Sequence, residues 1–143
     1  MQSDTGSVLV IGSSGQIGTE LVEQLRLLHG ENKVIASDIH PPQGEKNGPF
    51  ETLNVLDRQA VEDVLRKHKP TEVYLLAAML SATGEKHPMK AWDLNMNGLF
   101  HLLDAAKDGL FNKLYWPSSI AVFGPSTPKN NTPQITVAEP STV

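Results

Sequence analysis

Cysteine is absent from the 143 residues. That excludes disulfides and thiolate metal sites, and it suits a reducing compartment. No apolar run approaches the roughly 20 residues of a membrane span, so no membrane partner is expected. Met1 to Gly6 is polar and lacks the basic and apolar regions of a signal peptide, which makes the cytoplasm the expected location. No cluster of Lys and Arg stands out, and the formal net charge is −4. Nucleic acid and anionic membrane are therefore not expected as main partners. His29, His40, His68, His87 and His101 keep no ligand spacing with one another, so no metal is expected. Thr5-Gly6 and the other scattered Gly/Ser pairs are not followed by Gly-Lys-Ser/Thr and make no P-loop. No solenoid repeat is present. What remains is a chain with 39% apolar and 20% charged residues. That is the balance of a soluble globular domain, at a length sufficient for one core.

Val8-Leu9-Val10-Ile11 is a continuous, β-branched apolar run closed by Gly12, which predicts a strand buried on both faces. From Gln16 the period changes. Ile17, Leu21, Leu25 and Leu28 recur at helical spacing, and Gly30 supplies a stop. Lys33 to Ser37 predicts a second strand, Asp38 to Pro49 a loop punctuated by Pro41, Pro42, Gly44, Gly48 and Pro49, and Phe50 to Val55 a third strand. Asp57 is the expected N-cap of a helix through Val61, Val64, Leu65 and His68, ended by Pro70. Glu72 to Leu76 predicts a fourth strand, and a loop through Ser81, Gly84 and Pro88 follows. A long helix is expected from about Lys90 to Lys107, with Leu99, Leu102, Leu103 and Ala106 on its inner face. Lys113 to Trp116 predicts a fifth strand. Strands alternating with helices imply an α/β fold: a doubly wound parallel sheet of about five strands with helices on both faces. Residues 125–143 carry Pro125, Pro128, Pro133 and Pro140 with no helical period, so residues 1–124 are expected to form the domain and the rest a Pro-rich loop. So long a terminal loop is uncommon in a compact domain, and the chain reads as cut short.

The turn Gly12-Ser13-Ser14-Gly15-Gln16-Ile17-Gly18 lies between a buried strand and an amphipathic helix, the context a dinucleotide site requires. Gly12 permits the tight turn. Gly15 lets the backbone approach a pyrophosphate, and Gly18 lets the helix pack closely. The free N–H groups and partial positive charge of the helix N-terminus, including Gln16 and Ile17, suit phosphate. An ordinary glycine-rich turn is the alternative. Asp38 lies twenty residues past Gly18 at the end of the second strand. A carboxylate there can accept both ribose hydroxyls and would repel a 2′-phosphate, which favours NAD over NADP. A loop-initiating Asp is its bland reading. Asn54-Val55 stands where such folds place adenine, and an amide there can bond the exocyclic amine with help from the Val55 backbone; a turn-forming Asn before Asp57 explains it equally well. Ala77 and Ala78, ending the fourth strand, are small enough for a cofactor to lie across the sheet edge, and core packing explains them as well.

Leu76-Ala77-Ala78, Asn95-Met96-Asn97-Gly98 and Pro117-Ser118-Ser119-Ile120-Ala121-Val122-Phe123-Gly124, with the glycine spacing, resemble the extended short-chain dehydrogenase/reductases. Leu80 to Lys86, Ala91 to Asn97 and Trp116 to Thr127 resemble more closely the short-chain type of L-threonine 3-dehydrogenase. The resemblance implies a Rossmann domain with bound NAD, and L-threonine as small-molecule substrate, oxidised at C3 to 2-amino-3-oxobutanoate. It makes Ser119 the serine that holds the substrate oxygen and Ser81 a substrate contact; Ser118 beside it is expected to meet substrate, with bonding to cofactor or to backbone groups as its other readings. Asn95 joins the cofactor site, with its amide tying the long helix to a neighbouring strand. The family's Tyr acts as base and its Lys lowers that Tyr's pKa. Relatives pair through the long helix and the one after it, which implies a homodimer for a full-length protein.

The chain departs from this pattern in one decisive way. Its only tyrosines are Tyr74 and Tyr115, and neither has Lys four residues on. The family's Tyr comes about two dozen residues after the Ser, so the sequence is expected to stop before the Tyr-x-x-x-Lys helix, the sixth strand and the smaller substrate domain. Leu99 stands where many relatives carry Thr. On this reading the chain binds NAD and is inactive alone. A nucleotide-sugar epimerase or dehydratase of the same superfamily and a non-catalytic dinucleotide-binding module are the alternatives.

Overall fold

The structure, a computed structural model, describes residues 6–42 and 47–141, apart from the side chain of Ser81. The readings that involve Met1 to Thr5, Gly44, Thr142 and Val143 lie outside the described residues. Five strands, β1 (Val8–Ile11), β2 (Val34–Asp38), β3 (Phe50–Thr52), β4 (Glu72–Leu75) and β5 (Lys113–Tyr115), form one parallel sheet in the order β3-β2-β1-β4-β5. The crossovers carry α1 (Gln16–His29) between β1 and β2, α2 (Arg58–His68) between β3 and β4, and α3 (Ser81–Gly84), α4 (Pro88–Trp92) and α5 (Gly98–Lys107) between β4 and β5. This is the doubly wound α/β arrangement expected from the alternation of apolar runs.

The period-2 geometry of β1 divides the core in two. Leu9 and Ile11 join Val61, Leu65, Leu99 and Leu102 on the face covered by α2 and α5. Val8 and Val10 join Val22 and Leu25 on the face covered by α1. Both faces of β1 are thus buried, as its unbroken apolar run demands.

The elements differ from the sequence reading where tertiary contacts decide. On α1 the inner stripe is Gly18, Val22 and Leu25, with Leu21 half-buried; Ile17 and Leu28 are exposed. Gly18 rather than Ile17 faces inward because the turn beneath it leaves no room for a side chain. A 3-10 turn at Glu31–Lys33 delays β2 to Val34. β3 ends at Thr52 rather than Val55, since Asn54 folds the chain into a turn: its carbonyl accepts from Asp57 N–H and its Oδ1 from Leu56 N–H. β4 and β5 each end one residue early, at Leu75 and Tyr115. The expected loop after β4 contains the helical turn α3.

The long helix begins at Pro88 and is interrupted by a π-turn at Asp93–Asn97 between α4 and α5. The extra residue rotates the inner face, which is Leu99, Leu102 and Ala105; Leu103 is exposed and Ala106 only partly buried. Asp57 does cap α2, accepting from Ala60 N–H at 3.0 Å. Among the described residues of 124–141 there is no helix or strand. The segment is nonetheless hydrogen-bonded. Thr127 Oγ1, in a residue 7% exposed, donates to Val137 O at 2.7 Å and accepts from Gly124 N–H, while Glu139 N–H bonds Val122 O. Among the described residues no helix is long and apolar enough to cross a membrane.

Candidate functional site

Because the five strands are parallel, their carboxyl ends share one edge. Every candidate residue read from the sequence follows one of those ends or lies on the helix after β4. The order reverses at β1, with β2 and β4 on its two sides, which is where doubly wound sheets bind ligands.

The turn after β1 is built by two glycines for internal reasons. Gly12 has φ +89°, and a Cβ there would lie 2.5 Å from Ala77 N, at the end of β4. A Cβ on Gly18 would lie 2.2 Å from Gly12 O. Gly15 is different. Its backbone is extended, and a Cβ would meet only Gly12 O, at an ordinary 3.5 Å. Nothing in the chain requires glycine there. Ser14, Gly15, Gln16 and Ile17 are all exposed, Ile17 at 64%, and α1 starts with neither a side-chain cap nor an acidic residue in its first turn. Ser14 N–H is taken by Asp38 and Gly15 N–H by Gly12 O at 3.3 Å, so what the start of α1 offers an outside anion is its first-turn N–H groups from Gln16 on and the positive end of the helix dipole.

Asp38, ending β2, reaches this turn. Its Oδ2 accepts from Ser14 N–H at 3.0 Å and its Oδ1 from His40 N–H at 3.4 Å. The fully buried Ser37 fixes the same junction: its carbonyl accepts from the Gly12 and Ser13 N–H groups, and its hydroxyl donates to Val10 O. Asn54 is exposed beside the buried Val55. Ala77 is half-buried and Ala78 exposed, and Ala77 N–H donates to Ile11 O at 3.1 Å. Just past them, Met79 is gripped by Asn95. The Asn95 Oδ1 accepts from Met79 N–H at 2.8 Å, and its Nδ2 donates to Met79 O at 3.3 Å. The π-turn presents Asn95 to this segment, so the amide ties the helix to the chain leaving β4. Ser81 opens α3, and its side chain lies outside what is described.

Ser118 and Ser119 follow β5 and are exposed. Ser119 Oγ accepts from Ala121 N–H at 3.1 Å and caps the 3-10 turn Ile120–Val122. A hydroxyl held this way keeps its own proton free to donate. Among the described residues no hydrogen bond joins the two serines to the glycine turn. Tyr74 and Tyr115 stack on adjacent strands with ring centroids 4.4 Å apart. Desolvation, helped by Tyr115 and Glu72, raises the Tyr74 phenol above its ordinary pKa, the opposite of what a base needs. Among the described residues no group of three or more His, Asp and Glu converges as a metal site would.

One contact at this edge was missed in the sequence. His101 Nδ1 lies 2.9 Å from Val55 O, across a separation of 46 residues. Its only sequence signal was its place on the helix, three residues after Gly98.

The NAD dependent epimerase/dehydratase family profile matches residues 8–142. An uncharacterised epimerase/dehydratase of Staphylococcus saprophyticus is 46% identical over 139 residues, covering 95% of this chain and 43% of its own length. The L-threonine dehydrogenase of Clostridium difficile is 42% identical with TM-score 0.91, over 98% of this chain and 44% of its own. The holo L-threonine dehydrogenase of Cupriavidus necator is 48% identical with TM-score 0.89, over 95% of this chain and 45% of its own. The chain thus spans less than half the length of these relatives. By its sequence over that length and by its sheet, the chain belongs to the NAD dependent epimerase/dehydratase family.

Proposed function

We propose that the carboxyl edge of the sheet binds NAD, and that the whole protein oxidises L-threonine at C3 to 2-amino-3-oxobutanoate. The observation that supports the cofactor reading is the contact of Asp38 with Ser14, which brings the carboxylate ending β2 to 3.0 Å from the backbone of the glycine turn. Gly15, Gln16, Ile17 and Gly18 hold the pyrophosphate at the start of α1, with Gly12 shaping the turn. Asp38 takes the adenosine ribose hydroxyls and repels a 2′-phosphate. Asn54 and Val55 meet adenine. Ala77 and Ala78 leave room along the edge, and Asn95 contributes by fixing the segment that follows them.

When bound, NAD supplies the acceptor for hydride leaving C3. Ser119 donates its free proton to the substrate oxygen and holds that hydroxyl in place, with Ser118 and Ser81 as further substrate contacts. The hydroxyl proton needs a base as the hydride leaves. The stacked Tyr74 and Tyr115 are strand residues and do not serve. No Tyr-x-x-x-Lys pair stands within the 143 residues to fill that role, so this chain is read as binding NAD without turning threonine over. The substrate reading rests on the likeness to L-threonine dehydrogenases at 42–48% identity. The epimerase/dehydratase description of the staphylococcal relative keeps an epimerase or dehydratase as the second reading, with a nucleotide sugar as the substrate class to try.

The test is absorbance of NADH with L-threonine, and in parallel with UDP-sugars. It is run on this chain and on one continued through a Tyr-x-x-x-Lys segment. Threonine-dependent NADH from the longer chain alone is expected. Activity of the longer chain on a UDP-sugar and none on threonine selects the second reading. Turnover by the 143-residue chain contradicts the placement of the base.

A further inference from the structure

β3 is an edge strand, and the turn after it is met from the side by α5. The turn's own bonds are local: Asp57 N–H to Asn54 O at 2.9 Å, and Leu56 N–H to Asn54 Oδ1 at 3.0 Å. His101 then reaches across with Nδ1 2.9 Å from Val55 O. A carbonyl only accepts, so Nδ1 carries the proton. One turn of helix earlier, Gly98 lies against the same residue; a Cβ there would be 2.9 Å from Val55 Cγ1. Gly98 and His101 are three apart and so share a face of α5. Val55 is 2% exposed, and without the ring its carbonyl would lose its partner in a buried setting. Asp104 also meets Arg58 at 3.2 Å, but both side chains are 53% exposed and the pair holds little.

We infer that His101 is a positioning residue that sets base specificity, holding the Asn54-Val55 turn where it reads adenine. The inference rests on the dinucleotide reading of this edge. Adenine presents a donor, its exocyclic amine, and an acceptor, N1. The Asn54 amide oxygen keeps a second lone pair for the amine, and the Val55 N–H suits N1. Hypoxanthine reverses both groups. A turn held in register therefore favours NAD over nicotinamide hypoxanthine dinucleotide, and a loosened turn loses that preference.

The experiment titrates both dinucleotides into the unaltered chain and into His101→Phe, His101→Gln and Gly98→Ala, with hydrogen exchange of the amides of residues 53–57. His101→Phe is expected to weaken NAD about tenfold, the loss of one well-placed hydrogen bond, and to leave the hypoxanthine analogue within about twofold. His101→Gln, which keeps a donor, recovers most of the NAD affinity. Gly98→Ala pushes on Val55 and repeats the selective loss, so the result does not hang on one variant folding. Equal weakening of both dinucleotides, or NAD binding by His101→Phe as tight as by the unaltered chain, overturns the inference. If the unaltered chain binds neither dinucleotide, the cofactor reading fails, and with it the base-specificity role. The exchange data then decide whether the clamp itself exists: unchanged protection of residues 53–57 in His101→Phe excludes it.

Discussion

Gly15→Ala adds a methyl group at the start of α1, where the chain makes almost no contact with it. The new Cβ lies 3.5 Å from Gly12 O, and the extended backbone (φ −73°, ψ 171°) suits any residue. Two effects on stability oppose each other. Alanine restricts the unfolded chain, which stabilises by about 0.4–1 kcal/mol. Alanine is also a poorer N-cap than glycine, which costs a similar amount. The expected net change is within about 1 kcal/mol, and the melting temperature moves by no more than about 4 °C. Binding is expected to behave otherwise, because on the proposed reading the methyl stands where phosphate oxygens approach the N–H groups. Loss of one hydrogen bond to a charged group costs about 1.5–3 kcal/mol, or about 10–150-fold in affinity. Gly18→Ala is the control. Its Cβ would lie 2.2 Å from Gly12 O, so the turn itself must shift, and stability should fall by about 1–3 kcal/mol. Thermal melting and calorimetric titration of NADH on both variants give the comparison. Normal NADH binding by Gly15→Ala, with its fold intact, would refute the assignment of this turn to phosphate.

Asp57→Ala removes the acceptor for Ala60 N–H and should cost about 1 kcal/mol in urea denaturation; no change would mean that α2 is capped by other means. Glu51 accepts from Lys67 at 2.7 Å and His68 at 2.6 Å, and these hydrogen bonds, Lys67 first, lower its pKa from the ordinary 4.5. A depressed folded-state pKa stabilises above the unfolded value and loses that contribution as pH falls through the folded one. The stability difference between the unaltered chain and Glu51→Gln should therefore be full above about pH 5.5 and shrink below pH 4.5; a difference independent of pH contradicts the pairing. Ile120 is 88% exposed and Trp116 48%, next to the edge strand β5, and sedimentation should show self-association that Ile120→Lys reduces.

What the sequence made legible was whatever neighbours in the chain determine. The β-branched run Val8 to Ile11, the stop at Gly30, the cap at Asp57 and the glycine turn each carry their cause within a few residues. Contacts between distant residues were not legible. The π-turn exists where Asn95 meets the Met79 backbone, and no local pattern announces it. Ile17 looked like core because its spacing fits a helix, yet its place on the open first turn leaves it 64% exposed. His101 showed only a lack of metal-ligand spacing, because its partner, the Val55 carbonyl, is backbone and belongs to another element. The tail has no periodicity, and its order comes from Thr127 and Glu139 bonding back to the chain. At the site, the contact between Asp38 and Ser14 was foreseeable only in outline: the spacing placed both at one sheet edge, and the fold set them 3.0 Å apart.

The central claim is an NAD site whose cofactor choice is set by Asp38. Calorimetric titration of the chain with NADH and NADPH, repeated on Asp38→Ala, tests it most directly. The account predicts at least tenfold tighter binding of NADH, a difference of about 1.4 kcal/mol or more, and a narrowed gap in the variant. Equal affinity for the two cofactors, or no binding of either, would contradict it.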